Sequence, residues 1–117
     1  NIALYASGSA DIKPSSLSTL NQVTQVIRET SHQTHMIEVE GHTDDVPINT
    51  QKFSSNWELS SSRATNVVKY LLAQGIEKER LKAAGYADSR PKENTESLSI
   101  EQQRQANRRI VVFVRRY

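Results

Sequence analysis

Five residues in the first half of the chain, "GHTDD" from Gly41 to Asp45, put an imidazole, a hydroxyl and two carboxylates in one short stretch. Three chemistries are open to such a set: a metal site, an acid/base pair, or a grip on a charged ligand. A metal needs more donors than His42, Asp44 and Asp45 offer, and neither His32 nor His35 forms an obvious set with them. Adjacent carboxylates at a strand end point apart, which disfavours a shared proton. Ligand contact by Asp44 or Asp45 stands beside a plainer role, an Asx-turn that shapes the following loop. His42 reads as a structural hydrogen-bonder. The serines of "SSNWELSSS" have no nucleophile elbow and no base, so they read as loop and cap.

Arg63 is the second charged residue of interest. With Ser60 as the helix cap it would stand at the third helical position, facing the positive end of the helix dipole. That placement asks for an anion. Glu58 or an aspartate of the fold could supply it, and so could a ligand carboxylate, which arginine grips through two donors. Trp57 reads as an anchor that pins the long loop to the core. Asn107 suits a turn, Arg109 starts a strand, and Arg108 could do either job.

The elements that must position these groups follow from periodicity. "IALY" reads as a strand. Leu17, Leu20, Val23 and Ile27 fall at helical spacing between Ser15 and Arg28. "MIEVEGH" alternates, with Ile37 and Val39 on one side and Glu38 and Glu40 on the other. A loop from Thr43 to about Glu58 precedes a helix from Ser60 to Gln74, closed by Gly75. "LKAAGYA" is a weaker strand, "DSRPKENTESLS" a polar loop and "IEQQRQAN" a short helix. "RRIVVFVRR" is apolar on both faces and is expected in the centre of the sheet. The order β-α-β-α-β-(α)-β predicts an α+β (α/β two-layer sandwich) domain, a mixed four-stranded sheet with helices on one face.

Composition fits that reading. The chain has 117 residues, enough for a single domain over 1–117, with 36% hydrophobic and 24% charged residues. A formal net charge of +2 is too small to suggest nucleic acid, and the arginine pairs around the last strand read as solvation of its ends. The absence of cysteine excludes thiol catalysis, disulfides and cysteine-bound zinc. No apolar run reaches the roughly 18 residues of a membrane span. The chain opens mid-pattern, as expected of the C-terminal fragment of a longer, membrane-anchored protein.

The stretches "YASGSADIKP", "VEGHTDD", "SNWELSSSRATNVVKYLLAQGI", "LKAAGYADSRP" and "ANRRIVVFV" follow one another as in the OmpA-like peptidoglycan-binding domain, which this chain resembles from about Tyr5 onward. "HTDD" followed by a proline, with "SNWELS", resembles the flagellar motor stator B subunit type (the MotB, MotS and PomB group). The resemblance implies a non-catalytic module without cofactor or metal that binds peptidoglycan. It implies a homodimer on the outer side of the inner membrane. An upstream transmembrane segment would join it to the stator A-type membrane subunit. A general envelope anchor, in a lipoprotein or porin-associated protein, is the alternative. By motif, Asp44 would take the ammonium of diaminopimelate and Arg63 its carboxylate. Asn56 and Arg108 would line the same pocket, Thr43 and Leu59 would shape it, and Asp45 would shape the loop. The chain departs from the family at "GYADSRP", where many members read G-x-G, and in a longer segment between Pro91 and Asn107.

Overall fold

The computed structural model describes residues 10, 12, 14–30 and 35–116. A 3-10 turn, Pro14–Ser16, leads into α1 (Leu17–Thr30), followed by β1 (His35–Gly41), α2 (Asn56–Ala73), a second 3-10 turn (Lys78–Arg80), β2 (Leu81–Gly85), α3 (Ile100–Asn107) and β3 (Ile110–Arg116). The strands form one mixed sheet in the order β2-β1-β3. β1 runs parallel to β2, with Val39 opposite Ala83, and antiparallel to β3, with Val39 opposite Val112. The α+β prediction holds. The expected fourth strand, "IALY", lies outside the described residues. Among the described strands β1 is the middle one and β3 flanks it. Phe113 and Val114 are exposed rather than covered on both sides.

One apolar cluster joins the two layers. Leu20 and Ile27 of α1 and Ala64, Val67 and Leu71 of α2 meet Ile37, Val39 and Ile110 of the sheet. Each strand alternates, so Ile37 and Val39 face the helices and Glu38 and Glu40 face away. Ile37, Val39, Ala64, Val67 and Leu71 are fully buried. Each buried aliphatic side chain contributes about 1.5–3 kcal/mol relative to exposure.

α2 begins earlier than its apolar periodicity suggests. Ser55, not Ser60, is the cap, and its side chain accepts from the Trp57 amide at 3.2 Å. Glu58 accepts from Ser54 at 2.9 Å and from Ser55. The first turn, Asn56 to Glu58, adds no residue to the buried apolar stripe, so hydrophobic spacing alone did not reveal it. At the other end Gly75, with φ of 91°, closes the helix. The Gly75 amide donates to the Leu72 carbonyl and the Ile76 amide to that of Leu71, the paired bonds of a Schellman stop.

The first half of α2 sits unusually close to the ends of β1 and β2. A Cβ on Gly41 would lie 2.1 Å from the Ser60 carbonyl oxygen, and one on Gly85 would lie 2.3 Å from Ser61 Oγ. Two glycines therefore let the helix backbone rest on the sheet. Ser60, fully buried, donates to the Trp57 carbonyl at 3.1 Å and accepts from the Ala87 amide at 3.0 Å. This close seat brings Arg63 beneath the end of β1.

Candidate functional site

Three segments converge where β1 ends. The loop after β1 contributes Thr43 and Asp44. α2 contributes Asn56, Leu59 and Arg63. The turn between α3 and β3 contributes Arg108. These six residues, with Val46, Pro47 and Ile48, line one cleft of about 160 Å³. All six residues selected from the sequence thus meet in one place. The apolar wall of Val46, Pro47 and Ile48 was missed, although its signal was visible as an apolar run directly after the aspartates.

Asp44 is 5% exposed and uses both carboxylate oxygens. Oδ1 accepts from the Val46 amide at 3.1 Å, an Asx-turn, and Oδ2 accepts from Arg108 Nη1 at 2.9 Å. The turn therefore falls on Asp44, not Asp45 as expected. Asp45 is exposed and reaches Arg104 of α3 at 2.9 Å. That hydrogen bond holds its carboxyl below the usual range. Thr43 Oγ1 donates to the Asp44 carbonyl at 2.9 Å, and Asn56 Nδ2 donates to the Val46 carbonyl at 3.1 Å. The loop is fastened to the start of α2 in this way.

Arg63 stands two turns into α2, beyond the reach of the N-terminal dipole. The expected clash with that dipole is absent because the cap is at Ser55. Arg63 is fully buried, and its Nη1 donates to the His42 carbonyl at 3.2 Å. Arg108 follows the last residue of α3, where a cation favours the helix dipole, and its Nη2 lies 3.7 Å from Glu101. Two guanidiniums and one carboxylate thus line a cleft whose remaining walls are largely apolar.

The residues around the cleft hold it in shape. Asn107 Oδ1 accepts from the Lys92 amide at 2.6 Å, as its turn role anticipated. Arg109 lies just before β3 rather than in it, donating to the Arg90 carbonyl at 3.0 Å while its own carbonyl accepts from the His42 amide. Burial, with Arg109 and Arg90 nearby, lowers the pKa of His42 to about 4. The His42 ring is stacked on Tyr86, with centroids 5.4 Å apart, and neither ring nitrogen has a hydrogen-bond partner. The side chain was expected to be a hydrogen-bonder; only its backbone serves that way. Trp57, expected as a core anchor, is 54% exposed. Among the described residues no group of three or more His, Cys, Asp or Glu could hold a metal.

Comparison with known proteins gives one consistent picture. The model of the OmpA family matches residues 4–108. The uncharacterized protein YtxE of Bacillus subtilis is 31% identical over 97% of this chain, which spans 45% of that protein. Motility protein B of Helicobacter pylori is 30% identical over 80% of this chain, which spans 35% of it. A solved C-terminal domain of H. pylori MotB superimposes with a TM-score of 0.81 at 26% identity, covering 94% of this chain and 80% of that one. The cell wall anchor of the type VI secretion system of Pseudomonas aeruginosa superimposes with a TM-score of 0.82 at 30% identity, covering 98% and 76%. The chain spans less than half the length of these two curated relatives.

Proposed function

The chain belongs to the OmpA family, and from that premise we propose that it is a non-catalytic peptidoglycan-binding module that anchors a flagellar motor stator to the cell wall. The observation that carries the reading is the convergence of Arg63, Arg108 and Asp44 on one cleft with Val46, Pro47, Ile48 and Leu59 as its apolar wall. A zwitterionic amino-acid centre, such as the free end of diaminopimelate in a stem peptide, needs a cation for its carboxylate and an anion for its ammonium. The Asp44–Arg108 pair stands at 2.9 Å. The ligand ammonium then shares Asp44, and its carboxylate takes the guanidinium face of Arg108 and Arg63. Each charge-assisted hydrogen bond is worth about 1.5–3 kcal/mol. A few such bonds, doubled in a homodimer, suffice to hold a wall polymer without breaking a bond.

Similarity to motility protein B favours a stator. In that setting the domain lies on the outer side of the inner membrane, and an upstream transmembrane segment joins it to the stator A-type subunit. The similarity to a secretion-system cell wall anchor supports a second reading, a general envelope anchor with the same cleft. The full-length sequence separates the two: a membrane span bearing an acidic residue indicates a stator, and a lipid-attachment motif indicates the envelope anchor.

Sedimentation with insoluble peptidoglycan tests the binding itself. The domain should co-sediment with sacculi of the diaminopimelate type and less with those of the lysine type. Asp44→Asn should pellet far less than wild type, with its circular dichroism unchanged. Equal pelleting of the variant would remove the cleft from the account.

A further inference from the structure

The face of the sheet turned away from α1 and α2 carries a second cleft, of about 520 Å³, which the stem-peptide reading leaves unused. Val111 lies opposite Glu40 across β1 and β3, and Phe113 lies opposite Glu38. Phe113 is 37% exposed. At the inner end stands His42, 2% exposed, with both ring nitrogens unpartnered. Its Nε2 is 3.4 Å from Glu40 Oε1 but out of line for a hydrogen bond. Arg90 closes the other side, its guanidinium 3.9 Å from the Tyr86 ring centre.

The chemistry of this cleft is mixed. A neutral imidazole offers one donor and one acceptor. A hydroxyl can satisfy either nitrogen, whereas a simple anion can satisfy only the N–H. Arg90 and Arg109 add donors, and Glu40 adds an acceptor. Val111 and Phe113 give an apolar floor. An apolar floor with donors and acceptors above it suits a sugar ring, whose C–H face is apolar and whose rim carries hydroxyls. Glu40 and Glu93 line the cleft beside Arg90, Lys92 and Arg109, so it carries both signs of charge, as a ring with donors and acceptors around its rim requires.

A third cleft, of about 200 Å³, shares Thr43 with the Asp44 cleft and Pro91 with the outer cleft. We propose that the outer cleft is a sugar subsite that takes the glycan part of peptidoglycan while the stem peptide occupies the cleft at Asp44 and Arg63. This rests on the peptidoglycan reading and extends it to a second part of the same polymer.

Nuclear magnetic resonance titration of the chain with two separate probes tests it. The probes are the peptide-free disaccharide of N-acetylglucosamine and N-acetylmuramic acid, and a glycan-free tripeptide ending in diaminopimelate. The disaccharide should shift the His42 ring and Phe113 signals saturably in wild type and in Asp44→Asn alike. Phe113→Ala and Arg90→Ala should each bind it about tenfold more weakly, a loss of one good contact. The tripeptide should shift Val46 and ignore Phe113→Ala. A silent disaccharide beside a bound tripeptide overturns the sugar subsite and leaves the peptide reading intact. Shifts of the same His42 and Phe113 signals by inorganic phosphate, with the disaccharide silent, overturn it in favour of an anion site. A silent tripeptide with the disaccharide bound at His42 counts against the peptide clamp and supports the sugar subsite.

Discussion

Asp44 joins two tasks in one carboxylate. Oδ1 closes the turn onto Val46 and Oδ2 holds Arg108. Asparagine can keep the first task and lose the charge of the second. Asp44→Asn should therefore fold but lose about 2–4 kcal/mol of stability, because Arg108 loses its buried counter-charge and keeps only the exposed Glu101 at 3.7 Å; urea denaturation reads this directly. His42 gives a second prediction. Its folded pKa of about 4 lies below the ordinary value of 6.5. Between those values the unfolded chain binds a proton that the folded chain does not, so stability is full above about pH 6.5 and falls as pH drops toward 4. The loss should be on the order of 2–3 kcal/mol, and His42→Gln should flatten that part of the stability–pH curve. The types of these residues were legible in the sequence, but their partners were not. Asp44 and Asp45 look alike in "GHTDD", and only the fold sends one inward to Arg108 and the other outward to Arg104.

At the scale of elements, α2 carries the site, and its seat on the sheet depends on residues without side chains. Gly41→Ala would drive a methyl group to 2.1 Å from the Ser60 carbonyl, a backbone atom that cannot step aside. A loss of at least about 3 kcal/mol is expected, with binding impaired through displacement of Arg63. The turn after β2 behaves differently. Ala87 holds φ at 53°, a left-handed conformation that favours glycine, and is fixed there by its amide to Ser60 Oγ and its carbonyl to the Thr43 amide. This is the "GYA" segment in which many family members carry a second glycine. Ala87→Gly should raise stability by about 1 kcal/mol in thermal or chemical denaturation, since it removes the steric cost of the left-handed turn. Helix existence was legible from apolar spacing in α1 and α2. The start of α2 was not, because Asn56, Trp57 and Glu58, in the first turn capped by Ser55, add nothing to the buried apolar stripe. That one shift moved Arg63 from an awkward third position to a buried place two turns in.

For the whole molecule, the two-layer architecture was legible because Ile37 and Val39 alternate with Glu38 and Glu40 while the helices repeat every three to four residues. The middle position of β1 among the described strands was not. β3 is the more apolar strand, and its exposed Phe113 and Val114 belie the burial that its sequence suggested. Pairing order is a long-range property that no local run of apolar residues encodes. The assembled molecule places Arg63 of α2, Arg108 of the α3–β3 turn and Asp44 of the β1 loop around one cleft, although they are far apart in sequence. The central claim is that this cleft grips a zwitterion. Calorimetric titration of the isolated domain with a diaminopimelate tripeptide tests it most directly. The account predicts saturable binding that disappears in Asp44→Asn and weakens with salt, as charge pairing requires. Binding of equal strength in wild type and Asp44→Asn, unchanged by salt, would contradict it.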